Sequence, residues 1–190
     1  MNGDDADVVR RCLQGEVDAM HLLVERYQSA VFGLCFRILG HREDAEDTVQ
    51  DVFLRTFRHL RKWDSLRPFK PWILTIAANR CRTILEKRRT QTKNIDPHLG
   101  AIDDESASKT VLRTDLGEEL DLALGLLRAD YRICFVLFHQ QELSCAEIAR
   151  VMNSPEGTVK TWLHRARKEL ADHFTRRGIV PEGHYELPRI

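Results

Sequence analysis

Apolar residues recur at spacings of three and four along almost the whole chain, and the strict alternation that marks a half-buried strand is nearly absent. A chain patterned this way buries its apolar surface only as helices, so an all-α fold is expected. The pattern predicts a short helix over about 5–13 that stops near Gly15, and a long helix over 18–39 ended by Gly40. A third helix is predicted over 43–60, then a loop over 63–67. Pro68 suits the start of a fourth helix that runs to about residue 89. From 90 to 114 the periodicity fades into QTKNIDPHLGAIDDESASKT, a polar stretch with Pro97 and Gly100. A segment of that length without an element is long for the inside of a compact domain. It reads as a flexible acidic linker over 91–115 between two small helical domains, 1–90 and 116–177, with a loose tail over 178–190.

The chain has 190 residues, 43% hydrophobic and 31% charged, with a formal net charge of +0. No apolar run approaches the roughly 18 residues that span a bilayer, and MNGDDADVVRR has neither the basic start nor the apolar core of a signal peptide. A cytoplasmic protein without membrane insertion is expected. The five cysteines are scattered with no C-x-x-C pair, and the eight histidines do not gather with cysteines or carboxylates at ligand spacing. Buried reduced thiols, no metal and no cofactor are the expectation. There is no Gly-rich phosphate loop, nucleophile–base pair or paired carboxylate set, so no catalytic residue is assigned and an enzyme is not expected. The zero net charge is a sum of opposed segments. Arg80, Arg82, Lys87, Arg88, Arg89 and Lys93 face Glu86 alone over 80–93, whereas acids dominate 96–119.

The most informative stretch is SCAEIARVMNSPEGTVKTWLHRARKEL. Ser144 and Glu147 make an S-x-x-E capping box that starts one helix. Ser154 and Pro155 start the next, Ser154 as its cap and Pro155 in its first turn. Two helices joined by about three residues form a helix-turn-helix. On a wheel, Val159, Leu163, Ala166 and Leu170 share the core side of the second helix. Thr161, His164, Arg165 and Lys168 share the opposite side, flanked by Lys160 and Arg167. Such a rod fits a DNA major groove, with its N-terminal part at base edges. Lys160, Thr161, His164 and Arg165 are candidates for base contacts, and Arg167 and Lys168 for phosphates.

The third helix has a core stripe of Ala45, Val49, Val52, Phe53, Thr56, Phe57 and Leu60. Asp47, Gln50, Asp51 and Leu54 lie on its far side. This is an acidic patch around one apolar residue, which could dock a basic protein partner but, taken alone, reads first as ordinary solvent-facing surface. Around the fourth helix, Trp63, Phe69 and Trp72 sit beside a basic segment that continues to Arg89. Aromatic faces with cations are what single-stranded nucleic acid requires, although Ile73 and Ile76 beside Trp72 also point to core packing.

In this order, the three features resemble the sigma-70 family of transcription initiation factors, in its extracytoplasmic-function (ECF) group. AEDTVQDVFLRTFRHL resembles the family's polymerase-binding helix. FKPWILTIAANRCRTIL is similar to its promoter −10 recognition and melting helix, and LSCAEIARVMNSPEGTVKTWLHRARKEL to its −35-reading helix-turn-helix. The resemblance covers about 8–174. It implies a promoter-specificity subunit built from sigma domain 2 and sigma domain 4. Core RNA polymerase would bind through Asp47, Gln50, Asp51 and Leu54. A base flipped from the melted strand would be held by Asn79 and by the loop containing Trp63, Asp64 and Ser65, with Arg80, Lys87, Arg88 and Arg89 on nearby phosphates. The −35 element of promoter DNA would be read by Lys160, Thr161, His164 and Arg165. The resemblance also implies a cognate anti-sigma factor as a partner. Two other readings are a stand-alone dimeric helix-turn-helix regulator and an adaptor module whose basic face binds protein.

Overall fold

The computed structural model describes residues 2–95 and 116–180. Among these residues there are eight α-helices, one 3-10 turn and no strand. The first unit comprises α1 (Asn2–Leu13), α2 (Val17–Leu39), α3 (Arg42–His59), the turn Leu60–Lys62, and α4 (Phe69–Ile95). The second comprises α5 (Leu116–Leu126), α6 (Ala129–His139), α7 (Cys145–Met152) and α8 (Glu156–Arg176).

Local chemistry accounts for the boundaries. Gly40 adopts a left-handed φ of 76° and donates its N–H to the Phe36 carbonyl, closing α2 where a side-chain-bearing residue would be strained. Glu43 and Asp44 occupy the first turn of α3, where the helix dipole favours negative charge. Pro68 precedes α4 and Pro71 lies in its first turn, where no intrahelical partner for an N–H exists. The capping box of α7 is complete: the Glu147 N–H donates to Ser144 Oγ, and the Ser144 N–H donates back to the Glu147 carboxylate at 2.9 Å.

Two expected boundaries are corrected. The fourth helix continues to Ile95, because the polar residues after Arg89 extend a helix without needing a core face; the rest of the expected linker, 96–115, lies outside the described residues. Ser154 does not cap α8. Its hydroxyl donates to the Met152 carbonyl instead, and Pro155 takes the N-cap position with ψ 145°. The turn between α7 and α8 is made by Asn153 in the left-handed region at φ 48°, which asparagine tolerates better than most residues.

The buried apolar residues of the two units form one continuous cluster. Leu23, Val31, Leu34, Ile38, Val52, Phe69, Ile73 and Leu74 are buried between α2, α3 and α4. Leu124, Ile133, Leu137, Ile148, Val159, Leu163 and Ala166 fill the second unit. All five cysteines are buried and unbridged.

The units also pack on each other. α4 lies against α7, and α2 against α5 and α6. Arg132 of α6 is buried, and its guanidinium donates to the Ile38 carbonyl of α2 at 2.7 Å as well as to the Leu127 and Gly125 carbonyls at the end of α5. One cation thus satisfies the free carbonyls of two helix ends, one from each unit. Burial pulls its pKa down to about 10, so it stays charged at neutral pH. Lys70 Nζ donates to the Gln141 carbonyl at 2.9 Å, Gln141 Nε2 donates to the Ala30 carbonyl at 3.3 Å, and Arg37 pairs with Asp121 at 2.9 Å.

Candidate nucleic-acid and polymerase interfaces

The outer face of α8 is where the wheel places it. Val159, Leu163, Ala166 and Leu170 are fully or almost fully buried, while Lys160, Thr161, His164, Arg165 and Lys168 are exposed. Several of these side chains have internal partners that set their posture. Lys160 pairs with Glu156 one turn earlier at 3.0 Å, which raises its pKa. The Thr161 hydroxyl donates to the Gly157 carbonyl. Arg165 donates to the Tyr131 hydroxyl at 2.9 Å, and that bond raises its pKa. Arg167 differs from the others: half-buried, it lies over the Phe138 ring at 5.3 Å and donates to His139 Nε2 at 3.3 Å. Burial, then the nearby Arg167 charge, lower the His139 pKa, which keeps the imidazole neutral and able to accept.

The far side of α3 is likewise open. Asp47 and Gln50 are exposed, and Leu54 is 56% exposed beside them, an apolar side chain on a wet, acidic helix face. Asp51 is half-buried and held by two cations, Arg55 on its own helix at 2.9 Å and Arg80 of α4 at 2.6 Å. One residue expected at a protein interface and one expected on phosphate are therefore partners here. Inward, Ala45, Val52, Phe53 and Thr56 are buried as expected, and Thr48 joins them.

Loop 63–67 is folded by Asp64. Its Oδ1 accepts from the Leu66 N–H at 3.0 Å, its carbonyl accepts from the Arg67 N–H, and its carboxylate pairs with Arg67. Ser65 is exposed and Leu66 is 87% exposed at the tip. Trp63 instead points inward, edge-on to Phe69 with ring centroids 5.3 Å apart, and its Nε1 has no hydrogen-bond partner. It forms a wall and not an exposed stacking face. A cleft of about 240 Å³ opens beside it, lined by Asp64, Arg67, Trp72 and Thr75 from the first unit and by Arg150 and Val151 from the second.

Along α4, Asn79, Lys87 and Arg89 are exposed. Asn79 accepts from Arg82 at 3.3 Å. Arg88 donates to the Leu39 carbonyl at 3.1 Å and pairs with Asp44, which ties α4 to the end of α2 and the start of α3. The sequence reading missed Arg82, whose guanidinium reaches Met152 Sδ at 3.3 Å and Asp130 at 3.5 Å in the second unit. It also missed Arg150. No helix wheel shows either placement, because the second-unit partners of Arg82 lie 48 and 70 positions away and the cleft that Arg150 lines is shared with residues 62–75.

The profile described as Sigma-70 region 2 matches residues 23–91, and the one described as Sigma-70, region 4 matches 117–170. The ECF RNA polymerase sigma factor SigW of Bacillus subtilis is 30% identical over 177 residues, covering 85% of this chain and 92% of that protein. The chain belongs to the ECF group of the sigma-70 family. The ECF RNA polymerase sigma-E factor of Escherichia coli K12 is also 30% identical, over 87% of this chain and 92% of that one. Among solved structures, the sigma factor RpoE bound to the anti-sigma factor NepR from Bartonella quintana superposes with a TM-score of 0.67 at 21% identity, over 84% of this chain and 98% of that one. CnrH in complex with the cytosolic domain of CnrY gives 0.67 at 23%, over 90% and 97%. These two share the all-helical fold. In this ECF sigma factor the region 2 match takes in α3, loop 63–67 and most of α4, and the region 4 match takes in α6, α7 and most of α8. No described helix is long and apolar enough to cross a membrane.

Proposed function

We propose that the protein is a promoter-specificity subunit of bacterial RNA polymerase. It binds the core enzyme, recognises the −35 and −10 promoter elements, and helps open the DNA for transcription initiation. The observation that carries this reading is the family membership of both halves in their promoter-reading order, on a fold that leaves α8's basic face and α3's acidic face exposed.

Sigma domain 2 is the unit α1–α4 and sigma domain 4 is the unit α5–α8. Asp47, Gln50 and Leu54, with Asp51 at their edge, dock on core polymerase. Loop 63–67, Asn79, Arg80, Lys87 and Arg89 face the melted −10 strand. Lys160, Thr161, His164 and Arg165 enter the −35 major groove, with Arg167 and Lys168 toward phosphate. Arg88 acts mainly as a brace for α4, given its bonds to Leu39 and Asp44. The protein acts by recognition and performs no chemistry of its own. It works in the cytoplasm, where polymerase and DNA meet. An anti-sigma factor is a further partner, in line with the similar RpoE of Bartonella quintana, which was solved in complex with the anti-sigma factor NepR.

The deciding experiment mixes the purified protein with core polymerase stripped of its own sigma and asks for initiation from a selected promoter library. A stoichiometric complex that initiates at related promoters is expected. No complex, together with a footprint of the free protein on a symmetric duplex, would replace this reading with that of a stand-alone regulator.

A further inference from the structure

Trp63 borders two clefts. One is the cleft of about 240 Å³ that reaches Trp72 and Thr75 of α4. The other, of about 670 Å³, opens between α1 and the turn that leads into loop 63–67, and its described lining comes wholly from residues 6–14 and 60–65. Arg61, Trp63 and Ser65 stand on one side of it, and Leu13 and Gln14, at the end of α1, on the other. Its size falls within the roughly 300–1,000 Å³ of sites that enclose small organic groups.

The lining has the chemistry of a nucleobase site. Val9 and Leu60 are buried apolar walls, and Leu13 at the rim is 43% exposed. Gln14 is exposed, and its amide both donates to and accepts from a base edge. Trp63 is buried with its Nε1–H unpaired, a donor whose desolvation goes uncompensated in the free chain. Asp7, the one carboxylate in the described lining, is paired with Arg10. Arg61 is the exposed cation there for which no ion pair is described. The face of a base, its edge and its phosphate are thus met by an apolar wall, an amide and a guanidinium, the combination that single-stranded nucleic acid requires.

We propose that this cleft holds a second unstacked base of the melted strand, the neighbour of the base held by loop 63–67, with Gln14 at the base edge and Arg61 on its phosphate. The proposal rests on the promoter-specificity reading. Continuity of the surface places the two bases. Trp63 is shared by both clefts and Ser65 of the same loop lines the second, so a strand that leaves the loop on the side away from α4 meets the cleft beside α1. Taking a base out of the stack costs free energy, which an apolar wall and a hydrogen-bonded edge offset. The described lining includes no residue of α5–α8, so occupation of this cleft does not depend on where the second unit lies. Promoter choice at the −10 element then spans two adjacent positions.

The test is binding of the holoenzyme, core polymerase with the full chain, to bubble templates in which each position of the melted −10 strand is replaced in turn by an abasic nucleotide. Two adjacent positions should each lose affinity by roughly five- to a hundredfold, the loss of one stacked and hydrogen-bonded base. Gln14→Ala combined with Arg61→Ala, both at exposed positions, should weaken binding to the intact template and remove the abasic penalty at the second position while keeping it at the first. Leu13→Trp, which fills the cleft from its rim, should do the same by exclusion. A single sensitive position, or a second penalty that both variants retain, overturns the proposal and leaves the promoter reading intact. An equal loss on every template, abasic ones included, makes Arg61 a phosphate contact alone and overturns the base site. Loss of core-polymerase binding by both variants at an unchanged melting temperature gives the cleft to a protein contact and also overturns it. A wild-type holoenzyme indifferent to every abasic position, or no holoenzyme at all, overturns the promoter reading and the proposal with it.

Discussion

Single residues on exposed helix faces separate recognition from folding. Asp47 is exposed, and no ion pair involving it is described, so Asp47→Arg should abolish binding to core polymerase without moving the melting temperature; unchanged affinity would remove the acidic face of α3 from the polymerase interface. Arg165 and Lys168 lie on the same side of α8 but are proposed for different partners. Arg165→Ala should cost about 1–3 kcal/mol at one −35 position and relax the preference there, whereas Lys168→Ala should weaken all promoters alike and flatten the salt dependence. A uniform loss for Arg165→Ala, read from a promoter library, would reassign it to phosphate. Arg165 reaches DNA only by leaving the Tyr131 hydroxyl, a bond the wheel does not show.

At the scale of the element, the helix-turn-helix depends on its cap. Ser144 and Glu147 together satisfy two N–H groups at the start of α7, so Ser144→Ala should destabilise the fold by about 1 kcal/mol, measured by denaturant melting. The Ser144 hydroxyl, then the Ser144 N–H, hold the Glu147 carboxylate below its ordinary pKa. The native state therefore binds fewer protons than the unfolded chain through this window. The stabilisation is complete above the ordinary glutamate value of about 4.3 and is lost as pH falls through the depressed native value. Glu147→Gln should accordingly melt below the wild type at pH 7, and the gap should close in strongly acidic solution. A gap that stays constant with pH would show that the charge is irrelevant to the cap.

At the scale of the whole molecule, the two units are coupled by the packing of α4 on α7 and of α2 on α5 and α6, and by specific polar contacts. Arg132→Met removes the shared donor from the Ile38, Gly125 and Leu127 carbonyls, of which the first belongs to the other unit. Losing donors to buried carbonyls costs about 1–3 kcal/mol, and here it also uncouples the units. The wild type should melt in one calorimetric transition and the variant in two. A single transition in both would mean that Arg132 does not carry the coupling between them.

What the sequence determined by itself is whatever local periodicity and capping control. The helical class, the glycine stop at Gly40, the Ser144–Glu147 box and the split between Val159, Leu163, Ala166 and Leu170 inside and Lys160, Thr161, His164, Arg165 and Lys168 outside all follow from interactions within four residues along the chain. The exposed Asp47, Gln50 and Leu54 were legible for the same reason, as was the order of motifs that places both halves in the family. Only the tertiary structure decided which cations are engaged: Arg80 with Asp51, Arg88 with Asp44 and Leu39, Arg132 across two helix ends, Arg82 with the second unit. It alone decided that Trp63 is a wall and that α7 lies over the cleft beside it. A long flexible basic side chain chooses among partners 29 to 94 positions away in the chain, and no local pattern records that choice.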